Sequence, residues 1–358
     1  MQLFVEHLEV SNFRVIENLS FEPNSSGVTS IVGRNGHGKS SIIEALSFAI
    51  SGKSFRSAPK ESLIRRGSNE SLIRVQVITN EERALSLDSL ITRSGQDKLR
   101  LNTNAVSRRE VFRTIPLTAF SVTDIEIVSS SPQLRRDYMD SALVLLGVKA
   151  AESVDNYEKL LRHRTSLLKS IQRSGDFDSF DYLEVFDERL AEEGERVVTF
   201  RMNFLARIES RLEEMYQEIA GTGHSVRLGY SRSSDDLYRD LKVCRSDDIR
   251  KGSTGVGPHR DDLLLYLNGL NARYEASQGE QRTLAFALKM ALHRLILDRS
   301  GDSPILLLDD IFSELDEVRI ESLLDGFDST QCIVTTSIDH KLLASVGPVF
   351  HIENGSIH

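Results

Sequence analysis

The sequence predicts an α/β protein, built of mixed sheets with flanking helices, into which an antiparallel helical arm is inserted. Three observations support this fold. An apolar run, a glycine-rich turn and a helix-like segment follow one another over residues 28–50, and further apolar runs typical of strands lie beyond residue 245. Between them, apolar residues recur at threes and fours from residue 157 to residue 219, which is typical of amphipathic helices. We therefore predict one head in two pieces, residues 1–130 and 246–358, with the arm at 131–245.

Length and composition are those of an ordinary globular protein. The 358 residues suffice for one large core or two smaller ones, and 40% are hydrophobic and 27% charged. Because no apolar run reaches the length of a membrane span and no signal peptide opens the chain, we expect a cytoplasmic protein without membrane contact. Cys244 and Cys332 lie far apart and indicate neither a disulfide framework nor a zinc site. With a net charge of −9, any DNA-binding surface must be a local patch.

The glycine-rich turn fits the phosphate-loop pattern G-x-x-x-x-G-K-[ST]. Its residues are Gly33, Arg34, Asn35, Gly36, His37, Gly38, Lys39 and Ser40. The predicted strand Val28–Val32 precedes it and a predicted helix follows, and this context argues against a plain turn with a stray lysine. Glycines let backbone N–H groups surround an anion, and the helix start favours negative charge. Lys39 then provides a charge for the β- and γ-phosphates, and Ser40 a hydroxyl ligand for Mg²⁺.

The first head segment is otherwise predicted to be rich in strands. Residues 3–10 and 72–78 have strand patterns, and residues 89–92 and 99–101 are predicted to pair around a tip at 94–97. A basic cluster follows the phosphate loop, comprising Lys53, Arg56, Lys60, Arg65 and Arg66. It is either a solvated face or a contact for the phosphate backbone of DNA, and the sequence leaves both open.

Two long helices are predicted for the arm. Ser131-Pro132 is a suitable helix start, with proline at the first helical position. One apolar series runs to Ile171 and ends at a break over residues 174–176. The next predicts a helix of roughly forty residues, about 60 Å long, that ends at a pair of glycines and is kinked at Gly194. Its apolar stripe is interpreted as packing within the arm rather than a groove for a partner.

The second head segment is predicted to contain a hairpin and two buried strands. Leu263–Leu267 followed by Asn268-Gly269 is typical of a hairpin strand and its turn. Ile305–Asp309 and Ile333–Thr336 are apolar enough to be buried on both faces. Asp309 is the candidate ligand for Mg²⁺ beside Ser40. Asp310 either polarises an attacking water as a general base or caps the strand end.

The segment Ser277–Gln281 opens a further predicted helix. A hydroxyl, a glycine and free N–H groups at a helix start suit an anion. The same pattern is also a capping box, because Glu280 follows Ser277 by three residues. Both interpretations can hold, since one serine can cap an empty helix and donate to a phosphate when the site is occupied.

Together these segments resemble the ABC-type ATPases. The resemblance lies in the phosphate loop, in Ser277–Gln281, and in Leu308–Asp310 followed by Ser313–Asp316. Within that class the chain is similar to the bacterial RecF family of DNA replication and repair ATPases. The segments that carry this similarity are Asn12-Phe13-Arg14, Arg135–Asp140 and Gly257–Asp262, and it covers nearly the whole chain.

The resemblance implies that ATP, with Mg²⁺, is held between two heads of a homodimer. It assigns Lys39, Ser40 and Asp309 to the subunit's own nucleotide. The candidate catalytic residues are Asp310 and Lys39. Ser277 and Gly279 would reach the γ-phosphate held by the partner subunit. The other residues placed at the nucleotide or the dimer seam are Arg14, Asn35, Gln281 and the segment Ser313–Asp316.

The resemblance also implies a role in recombinational gap repair. Such a protein would dimerise on ATP, bind single-stranded and gapped or junction DNA, and help RecR and RecO load RecA. Some positions depart from the related patterns: Val122-Thr123-Asp124 stands in place of Pro-Glu-Asp, and Ser130 in place of a glycine. Transporter ATPases have a histidine near Thr336 or Ser337 and a glutamate at the position of Asp310. A shorter base and the missing histidine predict slow hydrolysis.

Three other classes are considered. A transporter ATPase subunit is disfavoured by the long inserted arm, and an ATPase-linked nuclease by the short chain beyond Asp316. A chromosome-organising protein would need long coiled coils and a hinge, which the sequence lacks.

Overall fold

The computed structural model describes residues 3–55, 58–79, 81–174, 180–301, 303–314, 330–337 and 341–357. The chain forms two compact units. The first comprises Met1–Ile125, Glu218–Gly221 and Ala285–His358, and the second comprises Glu126–Gln217 and Thr222–Leu284. The division at residues 130 and 245, which depends on sequence pattern, stays a prediction. Arg56, part of the break at residues 174–176, and the seam residues Leu315 and Asp316 lie outside the described residues.

An antiparallel sheet of the first unit has the strand order β2–β1–β4–β5–β6–β7. Its strands are β1 (Phe4–Phe13), β2 (Ile16–Phe21), β4 (Glu70–Ile78), β5 (Ala84–Thr92), β6 (Lys98–Leu101) and β7 (Asn104–Ala105). The predicted strands at 3–10 and 72–78 are confirmed as β1 and β4. The predicted hairpin is confirmed as β5–β6, in which Ser89 pairs with Leu99. Along β4, Ile73, Val75 and Val77 are buried and alternate with more exposed residues, so one face is solvated.

The second sheet of this unit has the order β15–β14–β3–β13–β12–β8. Its strands are β3 (Gly27–Val32), β8 (Leu117–Ser121), β12 (Ile305–Asp309), β13 (Gln331–Thr336), β14 (Val349–Glu353) and β15 (Ser356–Ile357). All neighbours pair in parallel except β15, which is antiparallel to β14. The predicted buried strands are therefore confirmed. Because parallel strands end at one edge of a sheet, the loops after β3, β12 and β13 share that edge.

Helix α1 (Lys39–Ser51) belongs to the hydrophobic core that contains residues of both sheets. Ile42, Ile43, Leu46 and Ile50 are buried, as their helical spacing predicts, and Ala45, Phe48 and Ala49 on other sides are buried as well. A helix that is apolar all round is typical of a fully enclosed position. The other helices of this unit are α2 (Arg108–Thr114) and α11 (Lys341–Val346).

The second unit is built mainly from helices. They are α3 (Glu126–Ser129), α4 (Pro132–Leu146), α5 (Val148–Ser174), α6 (Phe180–Ala220), α7 (Leu237–Val243), α8 (Arg245–Lys251), α9 (Ala272–Glu275) and the start of α10 (Gln278–Ser300). The last residues of α6 and the greater part of α10, from Ala285 onward, belong to the first unit. The 41 residues of α6 span about 62 Å at 1.5 Å per residue, which confirms the predicted long helix. It ends before Gly221, whose φ of 63° suits a helix terminus.

Helices α5 and α6 pack antiparallel, as predicted. Ile171 of α5 shares a hydrophobic cluster with Leu183 of α6, and Arg164 lies further back along α5 beside Asp187, further forward along α6. The helix continues through Gly194, where an added Cβ would overlap the Leu237 side chain of α7 and lie 3.3 Å from the ring of Tyr157. The glycine is therefore explained by close packing rather than by an interruption of the helix.

A small antiparallel sheet completes the second unit, in the order β11–β10–β9. Its strands are β9 (Val226–Ser231), β10 (Asp262–Leu267) and β11 (Leu270–Asn271). Asn268 and Gly269 link β10 to β11 with φ of 50° and 79°, the geometry of a tight hairpin turn, so the predicted hairpin is confirmed. Strand β9 lies inside the segment that sequence pattern assigned wholly to helices.

None of the described helices is both long and apolar enough to cross a membrane. The described part of the chain also holds no group of three His, Cys, Asp or Glu side chains arranged for a metal ion. Both thiols are free; burial of Cys332 within β13 raises its pKa.

Candidate functional site

The phosphate loop links the end of β3 to the start of α1. Gly36 and Gly38 have φ of 86° and 106°, values that favour glycine, and Gly38 directly precedes the first helical residue, Lys39. The strand, glycine turn and helix predicted from sequence are thus present in that order. The N–H groups of Ser41 and Ile42 both donate to the carbonyl of Gly38, at 3.0 and 3.3 Å, so the chain passes directly from the loop into α1. The start of a helix favours an anion.

The hairpin of β14 and β15 and the turn between β1 and β2 pack closely against the loop. A Cβ on Gly33 would lie 2.6 Å from the carbonyl oxygen of Ile352, so only glycine fits where the loop leaves the sheet. On the other side the Gly355 N–H donates to the carbonyl of His37 at 2.9 Å. A Cβ on Gly38 would lie 3.1 Å from Val15. The loop conformation is therefore fixed by packing within the first unit.

Lys39 is buried, with 5% of its surface exposed. Its ammonium donates to the carbonyls of Gly33 at 2.6 Å and Arg34 at 3.1 Å, and it lies 3.4 Å from Asn35 Oδ1. The loop carbonyls thus surround the Lys39 ammonium without the help of a nucleotide. Ser40, one residue on, is half-buried at the first turn of α1.

Asp309 lies at the carboxyl end of β12, at the same sheet edge as the phosphate loop. It is opposite Thr335 in the register of β12 and β13, and Thr335 is opposite Ile31 in β3, two residues before Gly33. One strand therefore separates the aspartate from the loop strand, which corresponds to roughly 10 Å. The Thr335 hydroxyl donates to Asp309 Oδ1 at 2.6 Å and orients the buried carboxylate.

Asp310 has a φ of 54°, uncommon for a residue other than glycine. Its N–H donates to the carbonyl of Thr335 at 3.0 Å, and its Oδ1 accepts from the N–H of Ser337 at 3.2 Å. These bonds join the chain after β12 to the chain after β13, as the capping interpretation requires. Ser337 directly follows β13, and its hydroxyl also lies 3.4 Å from Asp310 Oδ1.

Arg14 is tied to α1 by a residue that sequence reasoning missed. Its Nε and Nη2 donate to the two oxygens of Glu44 at 3.0 and 2.7 Å, and Glu44 is fully buried. Ser54 also donates to Glu44, at 2.5 Å. The only sequence signal was a single acidic residue among the apolar residues and serines that follow Lys39 in α1. Arg14 also lines an open cleft of about 510 Å³ together with Arg66 and Arg93.

The basic cluster after the phosphate loop is partly neutralised. Lys60 pairs with Asp97, and Arg65 pairs with Glu17 at 2.9 Å. The solvated interpretation is thereby supported for these two cations. For Lys53 and Arg66 both interpretations stay open.

The segment Ser277–Gln281 begins α10 and belongs to the second unit. The Ser277 N–H and hydroxyl both donate to Glu280 at 2.8 Å, and the Glu280 N–H donates back at 3.3 Å, which confirms the capping box. These two bonds from Ser277 lower the pKa of Glu280. Ser277 and Gly279 are exposed, whereas Gln281 is buried and donates its amide to the carbonyls of Ala272 and Arg273.

The two other family-like segments meet inside the second unit. Arg135 donates to both oxygens of Asp262 at 2.7 and 2.9 Å, and Arg136 donates to the carbonyl of Asp261 at 2.7 Å. Arg201 of α6 donates to both oxygens of Asp140 at 2.9 and 2.8 Å. Paired, hydrogen-bonded charges of this kind hold elements in one register. These segments therefore have a structural role in joining α4, α6 and β10.

A histidine beside this network is held neutral. His259 Nδ1 lies 2.7 Å from the Tyr157 hydroxyl and Nε2 lies 3.1 Å from the carbonyl of Thr254. Burial lowers the pKa of His259 to about 4, and burial raises that of Tyr157.

A parallel sheet with a phosphate loop, an aspartate-bearing strand separated from the loop strand by one strand, and an exposed serine-capped helix define an ATPase head of the ABC and SMC-like class. The RecF/RecN/SMC N terminal domain model matches residues 4–354. The chain belongs to the RecF family of DNA replication and repair proteins. It is 32% identical to the DNA replication and repair protein RecF of Agathobacter rectalis, and 30% identical to that of Clostridium acetobutylicum, each over 99% of both chains.

Solved structures agree with this assignment. One described as the recombination mediator protein RecF-ATP in the RecFOR pathway has a TM-score of 0.92 at 29% identity, with 100% of this chain and 97% of the other covered. A RecF-ATPrS structure has a TM-score of 0.88 at 29% identity, with 99% and 98% covered. An Smc head bound to a domain of ScpA has a TM-score of 0.59 at 17% identity over 99% of this chain and 96% of that one, which shows a shared fold alone.

The predicted family, fold class and enzyme class, an ABC-type ATPase of DNA replication and repair, are confirmed. Family membership favours this class over a transporter subunit or a nuclease. The roles of individual site residues stay predictions.

Proposed function

We propose that this protein binds ATP with Mg²⁺, closes into a homodimer on the nucleotide, and in that state binds DNA where single and double strands meet. It would act in the cytoplasm, where the bacterial chromosome lies, with RecO and RecR in loading RecA. The observation that carries the proposal is the division of phosphate-binding groups between the two units. The phosphate loop belongs to one unit, and the exposed helix start at Ser277 belongs to the other.

The phosphate loop has the groups that a triphosphate needs. Gly36 and Gly38 allow a loop conformation in which backbone N–H groups face an anion. Lys39 adds a positive charge that its own loop already surrounds. In these respects the residues fit the nucleotide.

The same sheet edge suits a hard cation. The Ser40 hydroxyl and the Asp309 carboxylate are oxygen donors of the type Mg²⁺ prefers, and the bond from Thr335 keeps Asp309 oriented. When bound, Mg²⁺ would neutralise charge on the phosphate oxygens. Asp310 would then accept a proton from the attacking water as general base. Its existing bonds to Ser337 and its short side chain are consistent with slow hydrolysis.

Dimer closure follows from the exposed capping box. Ser277 and Gly279 lie at the start of α10, where N–H groups and a hydroxyl favour negative charge. In a pair of heads, each would offer this helix start to the γ-phosphate held by the other. The energy of that contact exists only in the closed state, so ATP would shift the population toward the dimer.

The test is sedimentation of the protein at micromolar concentration with and without ATP and Mg²⁺. We expect a monomer that becomes a dimer with ATP, together with ATP-dependent binding of a gapped duplex followed by fluorescence anisotropy. The Lys39→Ala protein should remain folded, as judged by circular dichroism, and lose both responses, because the loop loses its charge. A wild-type protein that stays monomeric with saturating ATP, or binds DNA equally without it, would contradict the proposal.

A further inference from the structure

A row of cations runs along the exposed face of α5. From Lys159 to Ser174 the sequence has no aspartate or glutamate, although the whole chain has a net charge of −9. Successive cations are three, seven and four residues apart, so they lie on one side of the helix over about 21 Å. They are Lys159, Arg162, Lys169 and Arg173, and all four are exposed.

Helix α8 extends this row. Its final residues, Arg250 and Lys251, have exposed side chains, and Gln172 of α5 donates to the carbonyl of Arg250 at 2.6 Å. A Cβ on Gly252 would lie 3.2 Å from Lys169 Cγ, so the end of α8 lies against the end of α5. We call the combined surface the basic strip, which comprises Lys159, Arg162, Lys169, Arg173, Arg250 and Lys251.

A buried arginine fixes the two parts of the basic strip relative to each other. Arg164 points to the opposite side of α5 and is fully buried. Its Nε donates to Asp187 of α6 at 2.6 Å, and its Nη1 donates to Asp248 of α8 at 2.7 Å. One guanidinium therefore joins the three helices, and the strip is presented on a rigid support.

Few acidic groups accompany the basic strip. Arg162 lies 3.9 Å from Glu158, and Asp247 lies 2.9 Å from Arg250 and 3.8 Å from Lys251. Among the described residues, no carboxylate lies within 4 Å of the ammonium of Lys169 or the guanidinium of Arg173. The exposed side of α6 differs, because there Glu184, Glu188 and Glu192 are interspersed with the basic residues.

Helix-end electrostatics explains only part of the basic strip. Cations in the last turn of a helix interact favourably with its negative end, and this applies to Arg173, Arg250 and Lys251. Lys159, Arg162 and Lys169 precede the last turn of α5, where this effect has decayed. Helix-end electrostatics therefore does not explain why these three cations lie side by side on an acidic protein, whereas an anionic partner would.

We propose that the basic strip binds the phosphate backbone of duplex DNA. This rests on the DNA binding proposed above and adds the surface that makes the contact. Duplex DNA has one charge per about 1.7 Å of axis, so a row of cations about 21 Å long meets several phosphates. The strip consists only of lysine and arginine and includes no aromatic side chain, so it contacts the backbone and reads no bases.

The test compares two double variants of the full chain in ATP and Mg²⁺, with a blunt duplex as the probe. Lys169→Gln/Arg173→Gln removes two strip charges, and Lys149→Gln/Arg207→Gln removes two exposed charges of the same unit outside the strip. Each lost phosphate contact weakens binding about 8-fold at 0.1 M salt, so the loss of two contacts weakens it about 60-fold. The same loss makes the slope of log K against log salt shallower by about 1.8 for each strip that contacts DNA. We expect these changes in the strip variant and wild-type values in the control.

Two further measurements keep the outcome interpretable. A charge-preserving variant, Lys169→Arg/Arg173→Lys, should bind as wild type does, and the strip variant should keep its melting temperature and its ATP-dependent dimerisation. If wild type binds duplex and the strip variant binds with the same affinity and slope, the basic strip serves another partner, such as an acidic protein surface, and the inference is wrong. If wild type itself fails to dimerise or to bind DNA, the proposed function fails instead.

Discussion

Replacement of Arg164 by methionine tests the support beneath the basic strip. The side chain is 0% exposed and its partners Asp187 and Asp248 are 0% and 1% exposed. Methionine retains most of the volume and removes the charge. Asp187 would still accept from Arg245 at 2.8 Å, and Asp248 from the Gly255 N–H at 2.9 Å. Each of these two buried carboxylates would nevertheless lose the hydrogen bond that it accepts from Arg164.

Removal of one partner of a buried ion pair costs about 3–5 kcal/mol, because the remaining charge stays buried without compensation. For a domain the size of the second unit, each kcal/mol lowers the melting temperature by about 2–4 °C, so the expected decrease is about 6–20 °C. Burial already raises the pKa of Asp248. Without Arg164 that pKa should rise further, and protonation should relieve part of the cost. The loss of stability should therefore be smaller at pH 5 than at pH 8.

The assay is thermal unfolding followed by circular dichroism at both pH values. Arg162→Met is the matched control, because this neighbour on α5 is exposed and lies 3.9 Å from its partner, so its expected effect is within about 0.5 kcal/mol. A decrease of less than about 2 °C for Arg164→Met, or a loss of stability that grows toward pH 5, would refute the reasoning about the buried charges.

Three other predictions concern catalysis, packing and pH. Asp310→Asn should keep ATP binding and lower the hydrolysis rate by about 10²–10⁴-fold, measured as phosphate release, whereas an unchanged rate would assign this residue to strand capping alone. Gly194→Ala should lower the stability of the second unit by about 1–2 kcal/mol, because overpacking exceeds the helix-propensity gain; a stabilised variant in urea unfolding would contradict the close contact. Burial lowers the pKa of His259 and of His293 to about 4, below the unfolded value near 6.5, so stability is complete above that value and falls as the pH drops toward 4. At pH 5 each histidine should lower the free energy of unfolding by about 2 kcal/mol. The melting temperature of His293→Gln should therefore decrease less between pH 7 and pH 5 than that of the wild type.

Those parts of the fold that depend on one continuous pattern could be predicted from the sequence. The long helix α6 has a single apolar period from end to end, and β12 is an uninterrupted apolar run that ends in Asp309. The hairpin at Asn268-Gly269 follows from two residues that accept positive φ. In each case the determining information lies within a few neighbouring positions.

Contacts between distant segments could not be predicted in this way. Arg164 lies in a helical series with other charged residues, and nothing local shows that it faces inward toward Asp248, 84 positions away. The bidentate pair of Arg14 with Glu44 spans 30 positions and depends on how β1 meets α1. Strand β9 is short, and its pairing with β10 is decided by the fold around it rather than by its own composition.

The candidate site shows the same division. The phosphate loop and the capping box at Ser277 are local patterns and were predicted with their structural contexts. The bond from Thr335 to Asp309, and the bonds between Asp310 and Ser337, depend on which strands become neighbours in the sheet. Sheet order is a property of the assembled core, so the sequence alone did not predict these partners.

The lysine of the phosphate loop already donates to the carbonyls of Gly33 and Arg34. An arriving triphosphate must therefore compete with the protein itself for this ammonium, and a departing one leaves a satisfied group behind. Such an exchange lowers the net gain from binding and, by the same amount, eases release. A phosphate loop whose lysine is already hydrogen-bonded favours reversible nucleotide binding, which suits a protein that must dissociate from its target after acting.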